Sequence, residues 1–276
     1  MLRAAPRPWM LLLWPLTACG DEPSPSPPTP ALQLALPTPV DRDPRPEVLS
    51  VELVAQPTRV ALGEGRTPLL WTYGGSVPGP LLRVPKGGTI EVDFVNTLTA
   101  STTVHWHGLR VPNLQDGVVF LGVAPIYPGQ RQHYTLPAPD AGLYWYHPHV
   151  MSAQQLGAGL YGAILVDEAP GVEPDWADEQ VVLVLSDLDL DAQGELADPQ
   201  TGGELGTLFG REGEVLLVNG RVRPELTATV GQRQRWRLLN AARSRYYALS
   251  LPGHRWWIVG GDGGLADAPV EAERLL

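Results

Sequence analysis

Apolar and polar positions alternate with a period of two in residues 88–95, and again in residues 232–239. Side chains on a strand point alternately to its two faces, so each segment predicts a half-buried β-strand. Thr102-Thr103-Val104 and Gly142-Leu143-Tyr144-Trp145-Tyr146 are β-branched or aromatic runs bounded by turn residues, and they predict two more strands. Between such runs the chain is broken repeatedly, with 30 glycines and 29 prolines among 276 residues, and no long helical periodicity interrupts the pattern. This punctuation predicts an all-β sandwich architecture, and the length suits about two domains.

The strand pattern repeats. Pro80, Leu82, Gly87 and Asn96 recur as Pro224, Leu226, Gly231 and Asn240, each displaced by 144 positions. Four identities at one constant offset predict a duplicated sandwich, with a first domain at 49–168, a second at 175–276, and an acidic, proline-containing linker from Glu168 to Asp178. Asn96 and Asn240 fall at matching strand ends and are expected to cap turns. The offset sets His105 and His107 opposite Leu249 and Leu251, so the second copy is expected to keep a strand at Tyr246–Leu251 without those imidazoles. After Gly264 another strand-like run stops at Leu276 without closing strands, and the second domain is expected to be incomplete, as in a fragment or a truncated gene product.

A net charge of −10 excludes a surface built to neutralise nucleic-acid phosphates. Arg3 and Arg7, an apolar core from Trp9 to Leu16, and Leu16-Thr17-Ala18-Cys19 make residues 1–19 a signal peptide. Its ending resembles that of bacterial lipoproteins, which implies a lipid anchor on Cys19, a membrane partner, and a place in the cell envelope, periplasmic or on the outer surface. The apolar core is too short to span a bilayer permanently. Residues 20–48, rich in proline, serine and threonine, are expected to form an extended tether. Cys19 is the only cysteine, so the folded part has neither thiol nor disulfide.

Four of the six histidines lie in two triplets, His105-Trp106-His107 and His147-Pro148-His149. Chance placement would give on the order of 0.1 such triplets in the chain. On extended backbone each triplet aims two imidazoles the same way and turns Trp106 or Pro148 to the other side, so the four histidines predict half of a metal site. Imidazole accepts copper, zinc, iron or nickel, and the donor set alone selects none of them. A zinc hydrolase would add a nearby carboxylate or third histidine, and a cupin a glutamate; Gly108-Leu-Arg-Val-Pro-Asn113 offers none.

In Thr-Val-His105-Trp-His107-Gly-Leu, in Gly-Leu-Tyr-Trp-Tyr-His147-Pro-His149, and along the stretch from Trp71-Thr-Tyr-Gly-Gly-Ser-Val-Pro-Gly-Pro80 to Gly159-Leu-Tyr-Gly-Ala-Ile-Leu-Val166, the chain resembles the multicopper oxidases, the family of laccases, bilirubin oxidases and copper-resistance oxidases. The resemblance implies tandem cupredoxin-like Greek-key sandwiches. It implies copper as the metal, with His105 a type 2 ligand and His107, His147 and His149 ligands of the type 3 pair. Such a trinuclear centre takes O2 and a small reducing substrate, a phenol, aromatic amine or metal ion, and makes water. Asp116, in Leu-Gln-Asp-Gly117, matches an acid that feeds protons to the centre, although a turn aspartate before glycine is an equal reading. The type 1 copper needs a cysteine thiolate, so this chain is expected to supply half of the trinuclear site and to be inactive alone. The alternatives are a non-catalytic copper-binding or structural envelope protein and a mononuclear zinc module.

His133 and His254 are expected to be surface or hydrogen-bonded residues, and Trp71, Trp106, Trp145 and Trp236 to fill the sandwich cores.

Overall fold

The computed structural model describes residues 34–119, 122–169, 171–172, 177–262 and 264–276, and the signal and anchor segment around Cys19 lies outside them. The first eight strands are β1 (Val48–Arg59), β2 (Leu69–Tyr73), β3 (Gly79–Pro85), β4 (Gly88–Asn96), β5 (His105–His107), β6 (Arg131–Ala138), β7 (Gly142–His147) and β8 (Gly162–Asp167). They form two four-stranded sheets, ordered β2-β1-β4-β6 and β3-β8-β7-β5. The chain passes from one sheet to the other between β2 and β3, and at each step from β3 to β7, as a Greek-key sandwich requires.

Alternation decides what each face does. Leu49, Val51, Leu53 and Ala55 of β1, Ile90, Val92 and Phe94 of β4, and Tyr144 and Tyr146 of β7 point between the sheets into one buried cluster, together with Trp106 of β5. The expected strand at 88–95 is β4, and its inward positions are those the alternation predicts. On β7 the opposite parity carries Leu143 and Trp145 to the outer face, where both pack against a second cluster.

That second cluster joins the two halves of the chain. The later strands are β9 (Glu179–Leu188), β10 (Val215–Val218), β11 (Gln234–Asn240), β12 (Trp256–Gly261) and β13 (Gly264–Ala272), in sheets ordered β10-β9-β11 and β12-β13. Val184 and Leu188 of β9, Leu217 of β10 and Ala241 bury themselves against Leu62, Leu70, Val77, Leu156, Tyr161 and Ala163. Polar contacts follow the same seam: Val222 N donates to Leu62 O at 2.8 Å, and Glu195 accepts from Arg59 at 2.6 Å and from Leu69 N at 2.9 Å.

The repeat has a geometric counterpart. β1 runs parallel to β4 with Ala55 opposite Asn96, and β9 runs parallel to β11 with Leu185 opposite Asn240. Each asparagine closes the turn after its strand in the same way. Asn96 Oδ1 accepts Leu98 N at 3.0 Å and Asn240 Oδ1 accepts Ala242 N at 2.9 Å, while their Nδ2 groups donate to Ala100 O and Arg245 O.

Two expectations need correction. Tyr246–Leu251 is not a strand: only Leu249 pairs, through an isolated bridge to Leu275. The chain before it is held by side chains instead, Arg245 bonding Asp187 at 2.8 Å and Gly213 O at 2.7 Å. The second concerns the end of the tether, whose residues 20–33 lie outside the described ones. At 34–37 the chain is held to the body, with Leu36 packed on the shared cluster, Pro37 O accepting Leu81 N at 2.8 Å and Leu34 O accepting Asn219 Nδ2 at 2.6 Å. Leu34 and Leu36 are the apolar residues that a compositional reading averages away.

Asn96 is fully buried and also donates to Ile126 O at 2.8 Å, whereas Asn240 is exposed. Removing a partner from buried groups costs about 1–3 kcal/mol per orphaned group, and water replaces the partner at an exposed one. Asn96→Ala is therefore expected to destabilise the chain by about 3 kcal/mol and Asn240→Ala by about 1 kcal/mol or less, measured by urea unfolding. Equal losses would sink this account.

Candidate metal centre

β5 and β7 pair antiparallel with His105 opposite His147, Trp106 opposite Tyr146 and His107 opposite Trp145. Trp106 and Tyr146 are fully buried between the sheets, so the odd-numbered neighbours must face out. His105, His107 and His147 thus share one face at one end of the sheet. His149 lies beyond the last paired residue of β7, and its ring centroid stands 4.7 Å from that of His105.

The four imidazoles converge. His105, His147 and His149 each bring a ligand atom within 4.8 Å of the others, and His107 joins through Nδ1, 3.2 Å from His147 Nε2. These distances do not single out the expected grouping of His105 alone against the other three. Two backbone carbonyls set the tautomers. Asp116 O accepts from His105 Nδ1 at 2.8 Å, and Pro148 O accepts from His147 Nδ1 at 3.1 Å. A carbonyl can only accept, so each neutral ring carries its proton on Nδ1 and keeps the Nε2 lone pair for a metal.

Asp116 follows a 3-10 turn at Asn113–Gln115, and its carboxylate also lies 3.2 Å from His105 Nδ1. The structure thus places the Asp116 carboxylate beside His105, on the ring nitrogen opposite Nε2. Gly117 makes the approach possible. It has φ +71°, and a Cβ there would stand 1.9 Å from Val104 O. In the sequence Gly117 shows only as a turn residue, and the Asp-Gly pair so near His105 is its one signal.

Burial tunes the donors. His147 is 6% exposed, and desolvation, aided by the charge His105 would carry, pushes its pKa down to about 3 against a weaker opposing effect of the Pro148 carbonyl. Desolvation first and His105 second also lower His107 and His149. Rings kept neutral are rings ready to coordinate. Trp145 stacks on His147 at 4.0 Å and leans on His107 at 5.1 Å. It was expected in the sandwich core; its odd position on β7 puts it on the outer face instead.

The remaining aromatic and histidine residues fall outside the centre. Trp71 is partly buried against the sandwich core, and Trp236 is half-buried edge-on to Trp256. His133 is exposed and bonds Asp93 at 2.8 Å, and His254 is exposed beside Pro252 O.

The donor set fits copper: four converging imidazoles, two with the tautomer fixed, and no carboxylate oxygen in the converging group. A cupredoxin-like sandwich bearing such a cluster at a strand end defines a class of copper protein. Family models described as multicopper oxidase match residues 55–171 and 179–276, and the chain belongs to the multicopper oxidase family. It is 32% identical to multicopper oxidase MmcO of Mycobacterium tuberculosis, over 95% of this chain and 56% of that protein. It is 28% identical to copper resistance protein A of Pseudomonas syringae pv. tomato, over 76% of this chain and 41% of that protein. The chain thus spans about half the length of the curated relatives it matches. Among solved structures, a metallo-oxidase from Campylobacter jejuni superposes with a TM-score of 0.77 at 32% identity, over 87% of this chain and 50% of that one. A multicopper oxidase from Pseudomonas thermotolerans gives 0.72 at 34%, over 82% and 56%.

A depressed histidine pKa fixes the sign of an acid response. In the metal-free chain the unfolded state takes up a proton near the ordinary imidazole value of 6.5, whereas folded His147 does so at about 3. Between these values the unfolded state binds more protons, so stability falls as pH falls. His147→Gln is expected to flatten this acid limb by a few kcal/mol across pH 6.5 to 3, followed by urea midpoints against pH. An unchanged slope would show that His147 is not the group held neutral. Gly117→Ala is expected to destabilise the chain by at least about 2 kcal/mol, through left-handed strain and the clash of its Cβ with Val104 O; a thermal midpoint within a degree of the parent counts against the close approach.

Proposed function

We propose that this chain is the N-terminal portion of a laccase-like multicopper oxidase, which takes single electrons from phenols, aromatic amines or metal ions and passes four of them to O2. The convergence of four imidazoles where β5 and β7 pair and just beyond carries this reading. Copper bound there would supply the multi-electron chemistry that reduces O2 to water without releasing partly reduced oxygen.

In this reading His105 binds the type 2 copper and His107, His147 and His149 bind the type 3 pair, by their positions in the two motifs. Asp116 holds a carboxylate next to a ligand ring, 3.2 Å from His105 Nδ1, and O2 reduction consumes protons; the residue is assigned to orienting His105 and to delivering protons. The remaining trinuclear ligands and the type 1 copper belong to a further cupredoxin domain outside these residues. Cys19 as the sole cysteine, in a signal sequence, supports that division. The same residue anchors the exported protein to a membrane of the cell envelope through a lipid.

Copper titration of the purified chain, with an oxygen electrode, tests the central claim. The parent is expected to retain copper, His149→Ala to weaken retention at least about tenfold, and neither to sustain O2 consumption with a phenol. Sustained turnover by the chain alone refutes the half-site, and a copper-to-protein ratio near zero turns the reading towards a structural envelope protein. For the anchor, Cys19→Ser is expected to move the protein from the membrane to the soluble fraction of fractionated cells. A membrane fraction unchanged by the substitution removes the lipid.

A further inference from the structure

His149 poses a positioning problem that the sheet does not solve. The β5–β7 ladder ends at the His105–His147 pair, and His149 stands two residues beyond it. Its backbone N–H donates instead to the Thr103 hydroxyl, at 2.9 Å. Thr103 is fully buried and lies two residues before His105, on the segment that enters β5.

The surroundings hold both ends of this bond. Thr102 Oγ1 donates to Gln155 Oε1 at 2.7 Å, and Gln155 Nε2 donates to Ser101 O at 2.9 Å. Gln155 is 4% exposed and sits in helix α1 (Ser152–Gly157), which begins three residues after His149. Ser152 Oγ adds a bond to Pro148 O at 2.9 Å. The segment entering β5 and the segment leaving β7 are thereby clamped side by side, and the Thr103–His149 bond is the rung nearest the metal ligands.

We propose that Thr103 is a positioning residue of the metal centre, its buried hydroxyl replacing the missing ladder bond and fixing His149 against His105 and His147. The proposal rests on the reading of these histidines as copper ligands. Thr103 does not touch the metal; it sets where one ligand stands. Loss of an outer partner of a metal ligand commonly weakens metal binding about 10–100-fold.

The test compares Thr103→Val, which keeps the shape and removes the acceptor, with Thr103→Ser, which keeps the hydroxyl, and with His149→Ala. Two quantities are read on the full chain: amide hydrogen exchange of the metal-free protein over residues 147–151, and copper affinity by competition with a chelator. Thr103→Val is expected to speed exchange of that segment about tenfold or more and to weaken copper binding about 10–100-fold, with Thr103→Ser near the parent in both. Parent-like exchange and affinity in Thr103→Val, with His149→Ala impaired, overturns the proposal and leaves the copper site standing. Parent-like copper affinity in His149→Ala overturns the copper reading and this proposal with it. Should Thr103→Val fail to fold, Thr103→Ala removes the same acceptor without the added methyl and is judged by the same outcomes.

Discussion

The centre depends on one register. Pairing His105 with His147 across β5 and β7 puts Trp106 and Tyr146 between the sheets and all odd-numbered neighbours outside. A slip of one residue would bury imidazoles in an apolar core and expel an indole and a phenol, reversing every gain on both faces. The core therefore specifies where the imidazoles stand. Burying a tryptophan rather than truncating it stabilises a fold by about 3–5 kcal/mol, and that energy holds the two ligands beside it in line.

The outer face that carries the ligands is also the face on which the two halves of the chain meet. Leu143 and Trp145, at the same parity as His147, pack on the cluster that includes Val184, Leu188 and Leu217. Trp145 is thus in contact with both the seam and the His147 ring. This shared wall accounts for the strong desolvation of His147: one side of the ring is covered by indole, and its Nδ1 is occupied by the Pro148 carbonyl. The seam buries apolar side chains from both halves, so they are not independent beads on a string.

Much of this could be read from the sequence because period two is a local property. The β4 alternation, the inward turn of Trp106 and the common direction of each His-x-His pair follow from chain geometry alone, and the constant offset between Asn96 and Asn240 marked equivalent turns that the structure closes with the same side-chain bonds. What escaped depends on partners distant in sequence. Trp145 could be given a parity but not a neighbour, and Gly117 showed a turn but not Val104 O across it. The strand expected at Tyr246–Leu251 failed because pattern supplies a candidate strand while a sheet must supply its partner, and only Leu275 bridges it. Leu34 and Leu36 were hidden by the proline-rich composition around them.

The four imidazoles are also held by means of different kinds, and the difference has physical meaning. His105 and His147 stand on a ladder, with their tautomers fixed by carbonyls of Asp116 and Pro148. Both acceptors are backbone carbonyls, which can only accept, so each bond points Nδ1 one way and leaves Nε2 on the other side of the ring. His149 is tied by a side-chain hydroxyl and a neighbouring helix, a support that a single substitution can remove. His107 is the exposed one, with its Nδ1 directed at His147 rather than at a fixed acceptor. Its backbone is held by the ladder, opposite Trp145, and its ring by the indole, so it differs from His105 and His147 in lacking a backbone carbonyl at Nδ1.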